Sequence, residues 1–267
     1  MDIHQILLQI KNDFDRAITT ARFNGNTYAN GNKAKEALIR SQKIINLIHE
    51  FVKNEFVNCG IPPQIIFPPV GSSNPEIKIK GFLKSKSQDV TIIPTVSQIS
   101  LSDTNSIENE KILSVNIRSQ LSSLAKNIDT LYERTFAEAL NLHLSYPRQC
   151  LGEVYLIPTH EYDDKTMLQN RVAYKSVSKI ESYIKMFQAI NNRLDIDKDG
   201  YKYERVCLLI VDFRQQSPKL YESIEDLKND GLVAQSSNVT LENLTSKNLA
   251  NDLLSIYRSR FGQNSIF

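Results

Sequence analysis

Cysteine, histidine and net charge are all scarce in this sequence, and each scarcity removes a class of explanation. Cys59, Cys150 and Cys207 are the only cysteines; they are widely spaced and lie in or beside apolar runs. That fits reduced structural thiols and excludes a disulfide framework or a zinc cluster. The four histidines, His4, His49, His143 and His160, have no metal-ligand spacing. There is no glycine-rich phosphate loop, dinucleotide fingerprint, paired CxxC motif or nucleophile elbow, which disfavours the common enzymes of small metabolites. With 32 Lys and Arg against 30 Asp and Glu, the net charge of +2 gives no global pull towards nucleic acid or membrane, so a basic surface must be local. No apolar run reaches the length of a membrane span. The N-terminus, with Asp2, Lys11, Asp13 and Asp15 at intervals, lacks the basic region and apolar core of a signal peptide. A cytoplasmic protein with no membrane association is expected.

What remains is a chain of 267 residues with 41% hydrophobic content, enough for a substantial core. No internal repeat, low-complexity tract or linker divides it. A single domain over 1–267 is expected, with a helical N-terminal part (about 1–60), a sheet-centred core (about 61–215) and a helical C-terminal part (about 216–267). Ile3, Ile6, Leu7, Ile10, Phe14 and Ile18 predict a helix over residues 2–22. The segment from Arg22 to Lys35 is rich in Asn and Gly and reads either as a polar loop or as an arm that contacts nucleic acid. In the second reading Arg22, Asn24, Asn26, Tyr28, Asn30, Asn32, Lys33 and Lys35 supply donors and acceptors to phosphates and base edges. A second helix is predicted over 34–58, with Glu55 falling on its apolar stripe, where a carboxylate needs a partner, a metal or a raised pKa unless it reaches solvent.

From Ile65 the pattern turns to β. IIFPPV, EIKIKGFL and DVTIIP are short strand candidates, and Lys78, Lys80, Lys84 and Lys86 make this the most basic stretch, with Asp89 heading the last strand. These lysines suit either an exposed hairpin or phosphate contact. Residues 97–110 are polar and predict a loop. The stretch from Lys111 to Pro158 then reads as strand, long helix and strand, a crossover whose preferred outcome is a right-handed parallel pair. Asn116, Arg118, Ser119 and Gln120 crowd the first strand-to-helix junction, a place that favours binding groups. Along the helix Lys126, Asp129 and Glu133 share one flank, which fits a surface ion-pair ladder or a site. His160, Glu161, Asp163 and Asp164 read as a solvated loop. An amphipathic helix is predicted over Val172–Ile190. RVCLLIVDF reads as a fully buried strand, and the remainder as mostly helical. The expected fold class is α/β, a central mixed β-sheet flanked by helices.

The order of helix 34–58, the strand ending in QDVTIIP, SVNIRSQ, the helix LYERTFAEALNLH, the strand GEVYLIP and the later strand VCLLIVDF resembles the PD-(D/E)XK nuclease superfamily, particularly type II restriction endonucleases of the XhoI-like kind. The resemblance spans roughly residues 30–215. It implies a restriction-endonuclease-like core, Mg²⁺-dependent hydrolysis of phosphodiester bonds in double-stranded DNA, and a homodimer on a palindromic site. That family places an acid on one strand and an acid-x-lysine triplet on the next. Asp89 matches the first, whereas Asn116 and Arg118 occupy the positions of the second acid and the lysine. By the same resemblance Glu133, on the following helix, or Glu55, on the leading one, would complete a metal site with Asp89. Lys84, Lys86 and Lys126 join the Asn-rich segment as DNA-contact candidates. The alternative is a catalytically inactive nuclease-fold protein that binds DNA or a protein partner.

Overall fold

The apolar positions of the N-terminal segment form helix α1 (Ile3–Thr20), whose start is fixed by a capping box in which Asp2 accepts from the Gln5 amide and the Gln5 side chain accepts from Asp2. In this computed structural model, residues 2–95, 107–176 and 179–266 are described. The Asn-rich segment is not a loop throughout. Strands β1 (Arg22–Phe23) and β2 (Asn26–Thr27) form a small hairpin turned by Asn24 and Gly25, both with positive φ, the combination that a tight two-residue hairpin demands. Asn30 then caps α2 (Gly31–Arg40) by accepting from the Lys33 amide. The single helix predicted over 34–58 is two, because Gln42 adopts a left-handed conformation (φ 62°) between α2 and α3 (Lys43–Asn58).

The strands that follow are β3 (Ile66–Phe67), β4 (Ile77–Lys80), β5 (Ser85–Gln88), β6 (Val90–Ile92) and β7 (Leu113–Ser119). Helix α4 (Leu124–His143) leads to β8 (Leu151–Pro158), β9 (His160–Tyr162), α5 (Asp164–Met167), β10 (Tyr174–Ser176) and α6 (Ile180–Ala189). Last come β11 (Arg205–Asp212), β12 (Lys219–Tyr221), α7 (Ile224–Asn229) and α8 (Leu249–Phe261). The protein is α/β, with a six-stranded mixed sheet in the order β12-β11-β8-β7-β6-β3. β7, β8 and β11 are parallel, and β3, β6 and β12 run antiparallel to their neighbours. The predicted crossover is β7-α4-β8. Among the described residues the alternating strand EIKIKGFL does not enter this sheet; β4 pairs with β5 in a separate hairpin.

Two apolar layers cover the sheet. One face meets α1, α2, α3 and α8 through residues such as Val115, Ile117, Val154, Leu156 and Leu209. The other meets α4, α6 and α7 through Leu151, Ile157, Leu208 and Ile210. Three expectations are corrected here. The C-terminal part expected to be mostly helical (about 216–267) instead opens with β12, which pairs with β11 at the edge of the sheet, and among the described residues it is helical only in α7 and α8. The segment His160–Asp164 is not a solvated loop: it opens as β9, paired with β10, and buried Glu161 accepts from the Leu124 amide at the start of α4. The helix predicted from Val172 begins only at Ile180, because Tyr174–Ser176 are drawn into pairing with β9. Of the polar loop predicted at 97–110, residues 97–106 lie outside the described residues, as does Val177; Ile107–Lys111 form a 3₁₀ turn.

Candidate functional site

Strands β7 and β8 are apolar on one face and carry chemistry on the other. The alternation of side chains sends Val115 and Ile117 to the α3 face and Ser114, Asn116 and Arg118 to the α4 face. On β8 it sends Val154 and Leu156 to the first and Glu153 and Tyr155 to the second. Register places Glu153 beside Asn116 and Tyr155 beside Arg118. Helix α4 lays Thr135, Glu138, Ala139 and Leu142 towards the sheet, all buried. Strand β5 brings Lys86 from the side, and Asp89 follows at the head of β6.

Arg118 ties this group together. Its Nε donates to Glu153 Oε1 at 2.7 Å and its Nη2 to Glu138 Oε2 at 2.6 Å. Lys86 Nζ reaches the same Glu138 oxygen at 2.7 Å, and Asn116 Nδ2 donates to Glu138 Oε1 at 3.4 Å. The Ile117 amide donates to Asp89 Oδ2 at 2.6 Å. Glu153 is fully buried, and its Oε2 has no hydrogen-bond partner among the described residues. Nor has the buried Tyr155 hydroxyl or Gln88 Oε1. Arg118 and Lys86 are each about a quarter exposed at the side chain, so the cluster opens to solvent at its cationic edge.

The charges follow from this burial. Burial pushes the Asp89 carboxyl up to about 7, against the Ile117 hydrogen bond and the pull of Arg118. Burial pushes Glu153 up to about 8, again against Arg118 and with the neighbouring Glu138 and Asp89 adding to the rise. Arg118 is held more firmly protonated by Glu153. Two carboxyls raised towards neutrality beside an unpartnered carboxylate oxygen form a place that gains from added positive charge.

The structure thus brings together Asp89, Asn116 and Arg118. It does not bring Glu133 or Glu55 to them. Glu133 stands on the exposed flank of α4 with Lys126 and Asp129, and among the described residues these three form no ion pair with one another. Glu55 lies half-buried in the last turn of α3, on the opposite face of the sheet, where burial raises its pKa and Asn58 hydrogen-bonds it. Among the described residues no hydrogen bond or ion pair joins either of them to Asp89 or Arg118. The α4 acid at the cluster is Glu138, one of the acids that sequence reasoning missed. Its signal was present: a charged residue inside the apolar stripe of α4, as Glu153 is inside the apolar run LGEVYLIP.

The DNA-contact candidates scatter. Arg22 and Asn24 wall a groove of about 770 Å³ with Arg16 and Lys43. Asn26 is exposed and Tyr28 is half-buried against the core. Asn30 is the α2 cap, while Asn32 and Lys33 hydrogen-bond Glu36. Lys35 is only 2% exposed, and burial lowers its pKa; it is not available for a contact. Lys84 is exposed at the β4–β5 turn, whereas Lys86 is engaged by Glu138.

No family model, curated protein or solved structure matches this chain. The site therefore speaks through its own chemistry. Among the described residues no group of three His, Cys, Asp or Glu side chains is placed to hold a metal ion, because Arg118 stands between Glu138 and Glu153. The donor type of the remaining pair, Asp89 with Glu153, does suit a hard divalent cation, and the unpartnered Glu153 Oε2 leaves a lone pair for one. No helix among the described residues is long and apolar enough to cross a membrane.

Proposed function

We propose that the chain is an endonuclease of double-stranded DNA with a restriction-endonuclease-like core, hydrolysing phosphodiester bonds with Mg²⁺. One observation carries this reading. The acid missing from position 116 of β7 is supplied from the next strand, by Glu153 at the register partner of Asn116, while the Ile117 amide holds Asp89 beside them. The catalytic acids are then Asp89 and Glu153 in place of Glu133 and Glu55. Mg²⁺ held by these two carboxylates would polarise the scissile phosphate and acidify a bound water.

The chain's own groups do the rest. Arg118 offers a guanidinium at the open edge of the cluster, where it stabilises negative charge developing on the phosphate. Lys86 adds a second cation on the same side. Glu138 is a positioning residue: it holds Arg118 and Lys86 through one oxygen and Asn116 through the other. A two-fold homodimer would set two such sites on a palindromic duplex.

A second reading, an inactive nuclease fold that binds DNA, is favoured by one specific feature: Arg118 already bridges Glu138 and Glu153, occupying the ground between the acids. The two readings separate on long duplex DNA of mixed sequence incubated with Mg²⁺ or Mn²⁺, with EDTA as control. Discrete metal-dependent fragments, lost in Asp89→Asn and Glu153→Gln but kept in Glu133→Gln, support the nuclease. Intact DNA with a salt-sensitive mobility shift supports the binder.

A further inference from the structure

The β4–β5 hairpin ends in two large apolar side chains that nothing among the described residues covers. Phe82 is 63% exposed and Leu83 82%. Such a tip is ordinarily free to move, yet its backbone is clamped. The Gly81 amide donates to Lys84 O at 3.1 Å, closing the turn, and the Phe82 amide donates to Asn141 O on α4 at 2.8 Å. The Asn141 side chain accepts from the Leu83 and Lys84 amides and donates to Lys84 O. A Cβ at Gly81 would stand 2.6 Å from Asn141 O, so a glycine is needed for the helix to grip the turn this closely. The fold fixes the backbone and presents the two side chains to solvent.

We propose that Phe82 and Leu83 form a wedge that inserts between stacked base pairs of duplex DNA; this rests on the DNA reading above. Charge complementarity points to that occupant, since Lys78, Lys80 and Lys84 are exposed on the same hairpin and suit phosphates flanking an unstacked step. Continuity with the candidate site points the same way. Strand β5 runs from the tip directly to Lys86 and Asp89. At about 3.3 Å per strand residue, Leu83 stands no more than about 20 Å from Asp89, roughly six base-pair steps of about 3.4 Å. A tip already ordered loses little conformational freedom on insertion, which leaves more of its burial to offset the cost of unstacking.

The test needs no knowledge of a recognition sequence. Closed circular plasmid is relaxed by a topoisomerase in EDTA with the full-length protein, and its topoisomers are resolved after deproteinisation; duplex binding and sedimentation are measured alongside. The wild-type protein is expected to shift the topoisomer distribution through unwinding at the wedge. The Phe82→Ala/Leu83→Ala variant is expected to lose that shift while binding duplex DNA within about tenfold of wild type, since lysines supply most of the affinity; both side chains are exposed, so the variant should keep the wild-type melting temperature. Binding without a topoisomer shift, or a shift unchanged in the variant, overturns the wedge and leaves the DNA reading standing. A change in oligomeric state on substitution overturns it in favour of self-association. Absence of any duplex binding by the wild type overturns both.

Discussion

Two fully buried glutamates lie close together in this fold and are treated in opposite ways. Glu204, just before β11, is satisfied from every side: Arg193 and Arg260 at 3.3 and 2.8 Å, His143 at 3.6 Å and the Leu151 amide at 2.7 Å. Burial pushes its carboxyl up, but His143 and Arg260 outweigh that and hold it below the usual range. Glu153, two residues along β8 from Leu151, has among the described residues one cationic partner and one oxygen with none, and is pushed up to about 8. The difference separates an acid that holds a structure together from one that is poised. Burial alone does not mark a site; burial with incomplete compensation does.

The largest effect that sharpens this contrast is on stability. Glu204→Gln leaves buried Arg193 and partly buried Arg260 short of a counter-charge and should cost about 3–5 kcal/mol, read as a fall in melting temperature or loss of soluble protein. Glu153→Gln removes a charge that is already largely suppressed at neutral pH, and should change stability by no more than about 1 kcal/mol while removing the proposed cleavage. Equal destabilisation by the two would break the comparison. Arg118→Ala falls between them, at about 1–3 kcal/mol near pH 6, because Glu153 can take up a proton once its partner is gone. Denaturant melts should show that cost growing as pH rises.

The pH dependence of the wild type follows from the same acids. Asp89 and Glu153 are raised, so the folded protein keeps protons that the unfolded chain releases above about pH 4. Their contribution is complete below that pH and is lost as pH rises through about 7 and then 8. Glu204, held low, acts in the other direction: its contribution is present at neutral pH and is lost on acidification. Melting temperature measured in EDTA should therefore decline from pH 6 to 9, and Asp89→Asn and Glu153→Gln should flatten that decline. Smallest of all, Glu133→Gln and Lys126→Ala, on the exposed flank of α4, should stay within about 0.5 kcal/mol of wild type.

Much of the fold was legible because its elements are regular. The apolar stripes of α1 and α4, the runs of β7, β8 and β11 and the crossover between the first two all follow from period and length. The breaks were not: a single left-handed Gln42 divides α2 from α3, and pairing with β9 turns Tyr174–Ser176 from predicted helix into strand. These are tertiary decisions with no local signature. At the site, Asp89, Asn116 and Arg118 are legible as polar residues at the ends of strands. Glu138 and Glu153 carry a signal that is harder to read, because a charge inside an apolar run looks like an interruption until register and helix phase bring it opposite a guanidinium. The same rule drew attention to Glu55, which satisfies it on the wrong face of the sheet.

Asp89 and Glu153 are proposed to act as one cation-binding pair, and calorimetric titration of the purified protein with Mn²⁺ tests this directly at pH 8, where both acids are substantially ionised. One binding event, abolished in Asp89→Asn and in Glu153→Gln and unchanged in Glu133→Gln, is the expected result. No binding at millimolar Mn²⁺, or binding that survives both substitutions, would contradict it.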